Sequence, residues 1–208
     1  MVSAANVKEL RELSGAGMMD CKKALEKADN NISTAMEILR KEGIAKAQKK
    51  SGRSAKEGVV IPYIHPGSKL GVLLEVNCET DFVAKTEDFQ SMCKDISMHI
   101  AASSPMAVNR EEIDDSLISK EREIFLEQAK KEGKPEDIAV KIVEGKVNKF
   151  FQENVLMEQS FVKDPEKTVG DIVTETIAKL GENIIINRYV RFQLGEKSST
   201  QLESQSSE

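Results

Sequence analysis

Near residue 58 the hydrophobic pattern of the chain changes period. Before it, apolar residues recur every three or four positions. After it come two short runs dense in Val, Ile and Leu, from Val59 to His65 and from Leu70 to Asn77, around the Pro66-Gly67 pair. Two such runs joined by a short Pro-Gly loop read as a β-hairpin. A third run, Asn183 to Leu194, reads as a strand that ends at Gly195. The remaining periodic segments are helical. A hairpin and one distant strand set among helices give an α+β fold, with an antiparallel sheet of about three strands closed by helices.

Ahead of the hairpin, Val7, Leu10 and Leu13 share a helical stripe that Gly15-Ala16-Gly17 ends. Met18, Cys21, Leu25 and Ala28 form a second stripe, and Ile32, Ala35, Met36 and Leu39 a third, with Gly43 placed to close it. Helices this short are marginal alone and must pack together, which makes residues 1–43 a three-helix N-terminal domain. Residues 44–57 read as a basic linker, either a solvated hinge or an extension of the third helix. Residues 58–195 form the α+β core. In it Thr86 opens a helix striped by Phe89, Met92, Cys93, Ile96 and Ile100, which Ser103-Ser104-Pro105 stops. Residues 117–156 form a helical hairpin turning at Gly133 to Pro135. Thr168 to Leu180 is one more helix. Residues 196–208 hold five Ser and a single apolar residue, Leu202, and are expected to be a disordered tail.

Charge divides along the same line. The chain carries −5 overall, but residues 1–56 hold 12 Lys and Arg against 7 Asp and Glu. A small basic module therefore precedes a larger acidic one. No apolar run approaches the length of a membrane span, and the N-terminus lacks the basic-then-apolar pattern of a secretory signal. Three scattered cysteines, Cys21, Cys78 and Cys93, suit a reducing compartment, and a cytoplasmic location is expected.

Catalytic chemistry finds no foothold. His65 and His99 are the only histidines, neither has a triad-like neighbourhood, and each reads as structural or surface. The cysteine spacing offers no zinc site, and no phosphate-loop or dinucleotide motif is present. Ser14-Gly15-Ala16-Gly17 could cradle an anion or simply turn the chain. The basic segment at 40–56 lacks the interleaved aromatics of a nucleic-acid surface. No cofactor, no metal and no enzyme activity are expected, and neither nucleic acid nor membrane is expected as a partner.

The unusual stretch is Glu75-Val76-Asn77-Cys78-Glu79-Thr80-Asp81-Phe82-Val83-Ala84-Lys85, which leaves a strand and enters a helix. Asp81 and Phe82 stand side by side at the connection. Phe82 either folds back into the core or projects as a wedge into a partner. Burying a Phe side chain contributes roughly 1.5–3 kcal/mol, enough to bias a partner's conformation.

This stretch resembles the second signature of the bacterial elongation factor Ts family. The run Leu10 to Leu25 resembles the first, with Ser14 where the family usually has Thr. Gly181-Glu182-Asn183-Ile184 and Val190 to Gly195 look like the C-terminal signature, and the likeness spans about residues 2–197. The resemblance implies a guanine-nucleotide exchange factor for the GTPase elongation factor Tu, acting in translation elongation without bond chemistry. It implies an N-terminal domain similar to ubiquitin-associated folds. It places Thr80, Asp81, Phe82 and Val83 beside the magnesium site of the GTPase, with Phe82 as the wedge and Asp81 unsettling the groups that hold the ion. It gives Arg11, Met18, Met19 and Lys22 to docking of the N-terminal module on the same GTPase. From their spacing, Met18 and Met19 cannot both face inward on one helix. Only one Thr-Asp-Phe-Val stretch and one sheet-forming set are present, which resembles the short, single-core form. A two-fold homodimer through the strand Asn183–Leu194 and neighbouring helices is therefore expected, the competing case being a monomer whose sheet edge the hairpin 117–156 covers.

Overall fold

The computed structural model describes residues 2–196; of the tail expected at 196–208, residues 197–208 lie outside the described residues. The chain opens with α1 (Ala4–Ser14), α2 (Met18–Lys27) and α3 (Ile32–Gln48). The Ser3 hydroxyl accepts from the Ala5 amide, and the Asn31 side chain accepts from the Thr34 amide at 2.9 Å, so α1 and α3 begin at side-chain caps. Leu10, Cys21, Ala24, Leu25, Ala28 and Ala35 are buried together as a small core.

Two expectations fail here. Met18 does not begin the inward stripe of α2, which starts at Cys21; Met18 is 59% exposed and Met19 63%. A helical side chain leans toward the helix N-terminus, so one in the first position reaches past the packed interface. Gly43 does not end α3, which runs on to Gln48. A Cβ at Gly43 would come 3.3 Å from that of Ala178. The glycine allows a close helix crossing rather than a stop, and the extension reading holds for residues 44–48.

The larger unit follows as β1 (Glu57–Ile64), β2 (Leu70–Cys78), α4 (Asp81–Ala84), α5 (Glu87–Ser103), α6 (Asp115–Lys131), α7 (Glu136–Asn154), β3 (Ser160–Phe161), β4 (Asp164–Thr168), α8 (Val169–Leu180) and β5 (Ile184–Gln193). β1, β2 and β5 form an antiparallel sheet in that order, with β2 central. At Gly58, φ is +145° and a Cβ would lie 2.1 Å from the Val76 carbonyl oxygen, so only glycine permits this strand entry. Between Glu75 and Val76 the pairing with β5 slips, leaving Asn187 as the extra residue of a bulge.

Val72, Leu74, Val76 and Cys78 alternate onto the face of β2 that meets Phe89, Ile96 and Ile100 of α5 and Val173 and Ile177 of α8. Ala47, at the end of α3, packs into this same core. Thr168 and Asp171 complete a reciprocal capping box at the start of α8, and Gly181, at φ +82°, closes it. His99 is fully buried: its Nδ1 accepts from the Val162 amide at 3.3 Å and its Nε2 pairs with Gln159 Oε1 at 2.9 Å. It ties α5 to the β3–β4 hairpin, a structural role as read from the sequence. The helical hairpin exists as expected. Ala129, Ala139, Val143 and Val147 line its seam. Arg110 fastens its base, ion-paired to Glu158 with its guanidinium 4.4 Å over the Phe151 ring.

Candidate functional site

The connection from β2 to α5 is a single helical turn, α4, with Thr80 as its N-cap. Ala84 is buried and Val83 packs against the main core. Successive helical residues turn by about 100°, so a residue two positions from Ala84 faces nearly the opposite way. That residue is Phe82. It is 79% exposed, more than any other large apolar side chain among the described residues. The ring does not fold back into the core; it projects into solvent. The ring that fills the core at this junction is Phe89, fully buried in the first turn of the next helix.

Asp81, next to it, is ion-paired with Lys85 at 2.6 Å across one turn. The hydrogen bond from Lys85 holds the Asp81 carboxyl below the usual carboxylate range, and Asp81 in turn raises the Lys85 amine. Both groups are largely in solvent, where such a pair contributes little, so Asp81 can leave Lys85 for another partner at small cost. Thr80 faces the other way. Its hydroxyl donates to Glu182 Oε1 at 2.7 Å and its amide to Glu182 Oε2 at 3.0 Å, while its carbonyl accepts from the Cys78 thiol at 3.1 Å.

Sequence reasoning missed the residues behind this turn. Glu182, Glu79 and Asn183 were legible only as members of motifs. In the structure Glu79 Oε1 accepts from the Asn183 amide at 2.7 Å, and the buried Asn183 side chain donates to the carbonyls of Arg53 and Ser51 at 2.8 and 3.4 Å. Lys50 donates to the Gly181 carbonyl. The signal available was that carboxylates and an amide flank two chain reversals, with nothing to say that the reversals meet.

A second surface lies on the N-terminal helices. Arg11 of α1 and Met18, Met19 and Lys22 of α2 line one groove of about 440 Å³, together with Val2, Ala4, Val7 and Lys8. All four residues expected to act together are brought together. The floor is apolar, the two methionines supply adaptable contacts, and three cations stand at the rim. Arg11 and Lys22 make no ion pair among the described residues. Such a groove suits an amphipathic helix carrying acidic residues.

Neither surface offers a nucleophile. Cys21, Cys78 and Cys93 are buried free thiols, and burial pushes Cys93 up to about 12. His65, exposed in the β1–β2 turn, has its Nδ1 3.1 Å from the Tyr63 hydroxyl.

Residues 1–196 match the family model described as Elongation factor TS. Elongation factor Ts of Thermoanaerobacter sp. strain X514 is 56% identical over 200 residues, which is 96% of this chain and 98% of that one. Elongation factor Ts of Carboxydothermus hydrogenoformans is 57% identical over 196 residues, covering 94% and 90%. The same factor from Thermosipho melanesiensis is 56% identical over 196 residues, covering 94% of this chain and its own whole length. With a family model matched along nearly its full length and relatives more than half identical, this chain belongs to the elongation factor Ts family.

Proposed function

We propose that the protein is a cytoplasmic guanine-nucleotide exchange factor for elongation factor Tu, and that it releases GDP by seating the Thr80–Val83 turn beside the magnesium site of the GTPase. Family membership supports the coarse part, exchange in translation elongation. The observation that carries the finer part is Phe82, a nearly naked ring on a turn whose other residues are tied down. In this reading Phe82 enters an apolar gap between helices of the GTPase and holds it open. Asp81, released from Lys85, competes for the groups that hold the magnesium ion, and Thr80 and Val83 frame the site. Losing the ion removes the counter-charge of the diphosphate. The groove of Arg11, Met18, Met19 and Lys22 docks a helix of the same domain.

Energetically, the factor must bind nucleotide-free GTPase more tightly than the GDP form, and GDP then weakens the factor by the same ratio. A thousandfold faster release asks for about 4 kcal/mol of barrier reduction. A buried ring and a displaced metal are of that order. The deciding experiment is release of fluorescent GDP from elongation factor Tu with and without the protein. Rates unchanged by its addition would end the proposal.

We also propose a two-fold homodimer. The sheet covers one face with α5 and α8 and leaves the other open. The pairing register sets Pro62, Leu73 and Val190 in one row across that open face and Ile64, Gly71 and Phe192 in the next. Ile64, Leu73, Val190 and Phe192 are all exposed, Phe192 by 71%. A second copy packed sheet on sheet would cover both faces at once. No helix among the described residues is long and apolar enough to cross a membrane.

A further inference from the structure

The turn that presents Phe82 cannot hold its own shape. Four residues make one helical turn, far below the length at which a helix is stable alone. Its internal bonds are long: the Val83 amide reaches the Thr80 hydroxyl at 3.4 Å and the Ala84 amide reaches the Thr80 carbonyl at 3.3 Å. The Gln90 side chain holds the far end through the Ala84 carbonyl at 2.6 Å. The near end is held from the other side of the sequence. One carboxylate, Glu182, takes both the amide and the hydroxyl of Thr80.

That carboxylate is itself fixed. Gly181 before it closes α8 in a left-handed conformation, and Asn183 after it gives its amide to Glu79, the residue before Thr80. The segments 79–80 and 182–183 thus exchange carboxylate-to-amide bonds in both directions. Bonds of this charge-assisted kind are about twice as strong as neutral ones. With the hydroxyl of Thr80 turned to Glu182, the direction in which the next two residues leave the sheet is set.

We infer that Glu182 is a positioning residue of the exchange surface: by clasping Thr80 it fixes the direction in which Asp81 and Phe82 are presented to the GTPase. This rests on the exchange reading above. Glu182 need not touch the partner to do so, and no other carboxylate bonds to Thr80 among the described residues.

The test uses the full chain and two variants, Glu182→Ala and Glu182→Gln. Amide hydrogen exchange is followed in the free protein, and release of fluorescent GDP from elongation factor Tu is followed against factor concentration. In Glu182→Ala the amides of residues 80–85 exchange about tenfold faster or more, the factor expected for losing a charge-assisted bond, while those of α1 and α2 keep their protection. The maximal release rate falls by a similar factor. The half-saturating concentration changes by less, because the N-terminal groove is intact. Glu182→Gln, which keeps the volume and one acceptor, shows a smaller effect of the same kind and serves alone if the alanine variant does not fold. Unchanged protection at 80–85, or a maximal rate unchanged beside lost protection, overturns the positioning role. Phe82→Ala in the parent chain separates the two ideas. If it lowers the rate while the Glu182 variants do not, the positioning role alone falls. If it leaves the rate intact, the wedge reading of Phe82 falls and takes the positioning role with it.

Discussion

At the scale of single residues, the chemistry of the molecule concentrates in side chains whose surroundings leave them unsatisfied. Phe82 gains nothing from its position in the free protein, so its removal should be visible only in the complex. Phe82→Ala is expected to slow stimulated GDP release about ten- to a hundredfold, the factor equivalent to burying a Phe ring, while the melting temperature stays within a degree or two. Stopped-flow release and thermal denaturation of the same sample check both halves. Asp81→Ala should slow release at millimolar magnesium and much less when magnesium is scarce, since its proposed task is to unsettle that ion. His99 is the opposite kind of residue, satisfied at both ring nitrogens and sealed in the core. Burial lowers its pKa below 6.5, so the unfolded chain binds the extra proton first. Stability is therefore full above that value and is lost progressively as pH falls from it toward the folded pKa. Urea denaturation between pH 8 and 5 should show the decline, and His99→Gln should flatten it.

Among elements, the termini decide most of the outcome. The capping box on α8 makes Thr168→Ala a loss of about 1 kcal/mol, measurable by chemical denaturation. Gly58→Ala is a harsher change: the added methyl would overlap the Val76 carbonyl, so the β1–β2 pairing must shift or the variant must fail to fold. The long elements were readable in the sequence because their periodicity lasts for several turns or pleats. This holds for α5, α8, the α6–α7 hairpin and the three long strands. Elements built from few residues carry no period, which is why the β3–β4 hairpin and the single turn α4 went unread. Gly43 misled because a glycine late in a helix looks the same in sequence whether it ends the helix or admits a neighbour. The candidate turn was legible by its odd composition and by family resemblance. Its supports, Glu79, Glu182 and Asn183, were not, because a bond across a hundred residues leaves no local pattern.

Across the whole molecule, one sheet face and one helix set the large-scale behaviour. If the open face of the sheet pairs two copies, light scattering at micromolar concentration should give about twice the mass of the 23.0 kDa chain, and Phe192→Lys should return it to the single value. A mass near that of one chain at every concentration would rule the dimer out. Removing residues 1–54 should leave the larger core folded but less stable, since it takes away Ala47 and the Ser51 and Arg53 carbonyls that Asn183 uses. The shortened chain should also bind elongation factor Tu weakly, which calorimetry can measure. The helix α3 has its beginning in the small N-terminal core, through Ala35, and its end in the large one, through Ala47. The two units are thereby geared to each other by helical phase. Inserting two residues between those alanines would swing the N-terminal groove by about 200° about the helix axis. Inserting seven, close to two full turns, would bring it back to within about 20° while moving it some 10 Å outward. A ladder of insertions should therefore restore and abolish exchange with the period of the helix, which no flexible tether between the two surfaces would do.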